Sequence, residues 1–266
     1  MLSNGKVLVT GGWSYSNYSN SAELYDPATG MWTKTDNISI ARAYHTASML
    51  SNGKVLVAGG FSYNGYLNIA ELYDPAAGVW AKTGNMNFGR WISTASTLSN
   101  GKVLVAGGLG FGDYLNSAEL YDPATGVWTK TGNMSIARWG HTASMLSNGK
   151  VLVTGGAVIG DFLNIAELYD PATGVWTKTG NMSIPRYYHT ASILSNGKVL
   201  VAGGYSYNGY LNSAEIYDPA TEVWTKASNM SLARQYHTAS VLSNGKVLVV
   251  GGQGSRGYTN SADLYT

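Results

Sequence analysis

The sequence predicts an all-β protein built from small antiparallel sheets stacked on one another. Three observations carry this. The string Leu-Ser-Asn-Gly-Lys-Val-Leu-Val begins at Leu2, Leu50, Leu98, Leu146, Leu194 and Leu242, a strict 48-residue period with no insertion. Turn signals cut each period into four short apolar runs. Composition agrees: 34 glycines and 19 tyrosines among 266 residues, with only 12% charged, suit strands and tight turns.

The elements follow in order along a unit. Strand a is the His-Thr-Ala-Ser segment, as at His45 to Ser48. Asn-Gly then joins it to strand b, Lys-Val-Leu-Val, and predicts a two-residue type I′ hairpin in which both central residues take positive φ. Strand b is a continuous apolar run, as expected of a strand covered on both faces. A diglycine follows, as at Gly59-Gly60, then a loop, then strand c, Ala-Glu-Leu-Tyr, ending at Tyr25, Tyr73, Tyr121, Tyr169, Tyr217 and Tyr265. Asp-Pro-Ala-Thr-Gly presets a turn into strand d, which holds Trp32, Trp80, Trp128, Trp176 or Trp224. Such a sheet cannot bury both faces alone, so units must stack, with the tryptophans and tyrosines as the packing between them.

Several classes are excluded at this level. Without cysteine there is no disulfide scaffold, thiol mechanism or thiolate metal site. No apolar run approaches the ~18 residues of a membrane span, and the opening Met1 to Lys6 is unlike a secretory leader. A net charge of +2 gives no case for nucleic acid. No linker interrupts the repeats, so residues 1–266 read as one domain. Sequons at Asn37 and Asn133 are multiplied by the repeat and assign no compartment.

Diglycine after an apolar strand, then tyrosine, then tryptophan seven residues on resembles the kelch repeat, and the resemblance spans the whole chain. It implies a β-propeller of four-stranded antiparallel blades, strand a innermost and d outermost, with few exposed sheet edges. Six b and c strands but five a and d strands favour six blades, the first lacking strand a and the last lacking strand d. Five blades with a spare b–c hairpin is the alternative. Either arrangement leaves incomplete first and last blades through which copies could associate. Near-identity of the units fits recent duplication or design equally well.

Alternating strand direction places the b–c and d–a loops on one face, and nearly all variation between units lies there. A rigid frame carrying variable loops is a usual setting for binding. The candidate ligand residues are Arg42, Arg90, Arg138, Arg186 and Arg234 for charge, and Tyr44, Trp91, Trp139, Tyr187, Tyr188 and Tyr236 for stacking. Trp13, Tyr15, Tyr63 and Tyr207 would form an outer rim. The resemblance implies arginine contacts of this kind in peptide-binding kelch propellers. Repeat-locked arginines can equally be structural, paired with backbone carbonyls or a neighbouring blade. His45, His141, His189 and His237 read as framework rather than a metal site, since Ser93 breaks the series. No cofactor, metal or catalytic residue is expected. The function expected is a non-enzymatic scaffold recognising a protein, a peptide or a glycan. The alternatives are a mutarotase-like sugar enzyme, for which Asp113 and Asp161 are the asymmetric carboxylates, or a ligand-free chain in which identical blades assemble.

Overall fold

A computed structural model describes every residue except Tyr15, Ser16 and Thr266, and among these residues the chain is all-β without a helix. Its sheets are the blades of a β-propeller, six in number, three in each of two compact units, Met1–Thr131 and Gly132–Thr266. In the first unit, blade 1 holds only strands b, c and d: Val7–Thr10, Ala22–Asp26 and Met31–Lys34. Blade 2 is complete, with a Thr46–Met49, b Val55–Ala58, c Ala70–Asp74 and d Val79–Lys82. Blade 3 repeats it at Thr94–Thr97, Val103–Ala106, Ala118–Asp122 and Val127–Lys130.

In the second unit, blade 4 runs through Thr142–Met145, Val151–Thr154, Ala166–Asp170 and Val175–Lys178. Blade 5 follows with Thr190–Ile193, Val199–Ala202, Ala214–Asp218 and Val223–Ala227. Blade 6 has a Thr238–Val241, b Val247–Val250 and c Ala262–Tyr265. All neighbours are antiparallel and the order is a-b-c-d. The leading b–c hairpin is no spare piece, because it carries its own strand d.

The b strands of blades 2 to 5 are buried at all four positions, which accounts for their unbroken apolar run. Packing between successive blades uses the repeat-locked residues. Leu56, Ala58 and Met86 meet Val103, Val105, Tyr121 and Trp128, and Leu2 meets Val55, Val57 and Tyr73. Each strand-d tryptophan lies about 5.0 Å from its strand-c tyrosine and, from blade 2 onward, its indole N–H reaches back to a carbonyl of the preceding loop. In blade 1, Trp32 is 52% exposed.

Two local features differ from expectation. The Asn-Gly connection is not a type I′ turn: Gly53 has φ 80° but Asn52 has no positive φ. Gly53 N–H donates to Leu50 O and Leu50 N–H to Lys54 O, giving a three-residue loop with glycine alone in the left-handed position. Asn52 Oδ1 instead accepts from Lys54 N–H at 3.1 Å, so asparagine caps the turn rather than entering it. Second, the b–c loop is itself a small hairpin, as at Phe61–Ser62 paired with Gly65–Tyr66. The residue after each arginine bridges to the residue after the next diglycine, Ala43 to Phe61 and Tyr187 to Tyr205, which docks the d–a loop on that hairpin.

Candidate functional site

The d–a loop ends in Arg-x-x-His, and its arginine does not line a rim. Arg42, Arg90, Arg138, Arg186 and Arg234 are all 0% exposed. Each reaches 29 residues forward to a strand-c acid of the next blade: Glu71, Glu119, Glu167, Glu215 and Asp263, at 2.6–3.0 Å. Arg138 Nη1 also donates to Gly155 O and Ile165 O, both at 2.9 Å. The other oxygen of the Glu167 carboxylate accepts the Ser135 N–H at 2.8 Å, so one acid holds both ends of the loop. Burial pulls the pKa of Arg42, Arg90, Arg138 and Arg186 down while the facing carboxylate opposes it. The expected arginine contacts with ligand are therefore corrected. These side chains are enclosed and their Nη groups committed, and the alternative of a structural clasp holds.

The stacking residues fare differently. Tyr44 and Tyr236 are each 49% exposed, and Trp91, Trp139, Tyr187 and Tyr188 are half-buried. In the first unit Trp91 packs against Tyr44 at 5.5 Å and Phe61 at 5.2 Å, and Trp13 stands exposed at the blade 1 hairpin. In the second unit the rings merge into one cluster. Trp139 meets Tyr187 and Tyr188, Tyr188 meets Tyr236 at 4.2 Å, and Tyr187 stacks on Phe162 at 14° between planes. Phe162 in turn contacts Tyr205 and Tyr207. The rim tyrosines also brace the preceding hairpin. Tyr63 Oη donates to Asn17 Oδ1 and accepts from Tyr18 N–H, while Tyr207 Oη accepts from Phe162 N–H. Tyr15 lies outside the described residues.

The second residue after each arginine is left-handed in every unit: Tyr44, Ile92, Gly140, Tyr188 and Tyr236, with φ between 53° and 62°. Sequence reasoning missed this, although Gly140 in register with three tyrosines was a signal. A non-glycine residue there costs on the order of 1 kcal/mol, and a β-branched one such as Ile92 is rarer still. The conformation persists because backbone bonds over-determine it: Ile92 N–H donates to Tyr44 O, Tyr188 N–H to Gly140 O and Tyr236 N–H to Tyr188 O. It turns the Tyr44 and Tyr236 side chains out onto the loop face.

The histidines are framework. His189 Nε2 lies 3.0 Å from Thr142 Oγ1 and 3.1 Å from Thr154 Oγ1, and His237 Nε2 lies 3.0 Å from Thr190 Oγ1. Desolvation, then the adjacent Arg42 or Arg234, lowers His45 and His237 to about 4. Among the described residues no three His, Asp or Glu side chains gather as a metal set. Asp113 and Asp161 stand exposed at hairpins.

A family model described as the KLHDC2/KLHL20/DRC7 Kelch-repeats domain matches residues 93–266, and the Kelch motif matches residues 2–36 and 42–87. The chain belongs to the kelch-repeat family. Comparison with curated proteins gave no match. Kelch-repeat propellers are generally non-enzymatic scaffolds, and they commonly mediate protein–protein interaction.

Proposed function

We propose that this kelch chain is a non-enzymatic recognition scaffold that binds an uncharged, aromatic or proline-rich peptide segment on its b–c and d–a loop face. The observation that supports it is the ring cluster of the second unit, from Trp139 through Tyr188 to Tyr236, held out by left-handed backbone at the last two. Aromatic grooves recognise extended proline-rich and aromatic peptides by stacking and by tyrosine hydroxyls. Withdrawal of the five arginines removes the reason to expect an anionic ligand.

The test is a peptide and glycan array probed with the purified chain and with the Tyr188→Ala/Tyr236→Ala double variant. Uncharged aromatic or proline-rich peptides should bind, and the double variant should lose about tenfold or more, as expected when two stacked rings are removed. Exclusive capture of acidic peptides, or of glycans, would overturn the peptide reading. Unchanged binding by the variant would remove the patch from the site.

A further inference from the structure

Blade 1 contains an arginine socket with no arginine in it. In blade 2 the socket is made of Glu71 and the carbonyls of Gly59 and Ile69, filled by Arg42 at 2.6, 3.1 and 2.9 Å. Blades 3 to 6 repeat this with Arg90, Arg138, Arg186 and Arg234. The same repeat positions in blade 1 are Glu23, Gly11 and Ser21, and the Glu23 carboxylate has no ion pair or side-chain hydrogen bond among the described residues. Ser21 Oγ stands where Ser117, Ser213 and Ser261 accept from arginine Nη2, and here it turns to Ser19 Oγ at 2.8 Å instead.

A second observation is independent of the acid. Strand b of blade 1, Val7–Thr10, pairs with strand c alone, so its other edge carries no strand among the described residues. At the end of that edge Thr10 Oγ1 is enclosed and makes no hydrogen bond. Its counterpart in blade 4, Thr154 Oγ1, lies 2.8 Å from Thr142 Oγ1 of the paired strand a. An open edge, an enclosed hydroxyl and an unclaimed carboxylate thus mark three points along one missing segment.

We propose that this edge docks an extended segment of the form Arg-x-x-His-Thr-Ala-Ser from another chain. The guanidinium would enter the Glu23 socket, the threonine would meet Thr10, and the backbone would add a strand to Val7–Thr10. Backbone pairing gives such augmentation its affinity, while the acid and the hydroxyl fix register and identity. Charge complementarity selects arginine over lysine, because the socket presents acceptors in several directions to a planar fork of donors. The proposal does not depend on the aromatic patch.

The test uses the full chain and a synthetic peptide with the sequence of residues 134–146, Met-Ser-Ile-Ala-Arg-Trp-Gly-His-Thr-Ala-Ser-Met-Leu, measured by titration calorimetry and by melting temperature. One peptide should bind per chain and raise the melting temperature. The same peptide carrying alanine for its arginine, or the Glu23→Gln protein, should bind about tenfold or more weakly, since a charge-assisted bond is lost. Glu23→Gln should leave the melting temperature of the free chain unchanged, because Glu23 clasps nothing there. The Tyr188→Ala/Tyr236→Ala protein should bind this peptide as the parent does. Absence of binding, or equal binding by Glu23→Gln, overturns the proposal.

Discussion

Arg186, Tyr187 and Tyr188 are consecutive, yet they belong to two layers with opposite rules. The arginine is wholly enclosed, holds Glu215 and two carbonyls of the next blade, and recurs unchanged in every unit. The two tyrosines beside it sit half-exposed on the loop face and occupy positions that differ from unit to unit. The contrast teaches that identity between repeats marks a demanding environment, whereas variation marks a permissive one. A positive residue beside aromatic rings is not by that fact part of a basic, aromatic site.

The largest effect should come from the enclosed layer. Arg138→Ala strands Glu167 and should cost about 3–5 kcal/mol, the range for breaking a buried ion pair, while Tyr236→Ala should cost less than about 1 kcal/mol. Urea unfolding of both variants checks this, and equal costs would erase the distinction between layers.

A pH titration sharpens it next. His45 and His237, held down to about 4 from an ordinary 6.5, bind a proton less tightly folded than unfolded. Their contribution is therefore complete above about pH 6.5, declines as pH falls towards 4, and levels off below. The loss should be on the order of 2–3 kcal/mol per ring, and replacing both by asparagine should flatten the stability profile in that window.

The smallest effect concerns the strand c to d turn. Glu222 holds φ 59° where Gly30, Gly78, Gly126 and Gly174 hold 71° to 72°. Glu222→Gly should stabilise by about 1 kcal/mol, because glycine takes that conformation without strain. A melting temperature unchanged or lowered would show that the Thr179–Glu222 hydrogen bond, 3.0 Å long, outweighs the strain.

The frame was legible because its residues act through period and turn chemistry. Diglycines, Asp-Pro turns and strand-b valines each dictate local geometry, so blade number and strand order follow from spacing alone. The clasp was half legible. Five arginines and six acids recur in register, but which acid answers which arginine depends on packing between blades rather than on neighbours in the chain. Two features lay beyond the pattern. Asn52 looked like a residue that enters left-handed backbone, and the structure uses its side chain as an acceptor instead. The left-handed site at Tyr44, Tyr188 and Tyr236 is imposed by hydrogen bonds from adjacent blades, and tyrosine has no propensity that announces it.

Every clasp points the same way, from a loop to the blade that follows it. The array therefore has polarity, and its two ends fail differently. Trimming from the leading end uncovers a carboxylate, which water can hydrate at little cost. Trimming from the trailing end leaves a guanidinium such as Arg234 without its acid, together with the carbonyls it tied down. Growth of such a protein by copying whole units is tolerant at the front and exacting at the back.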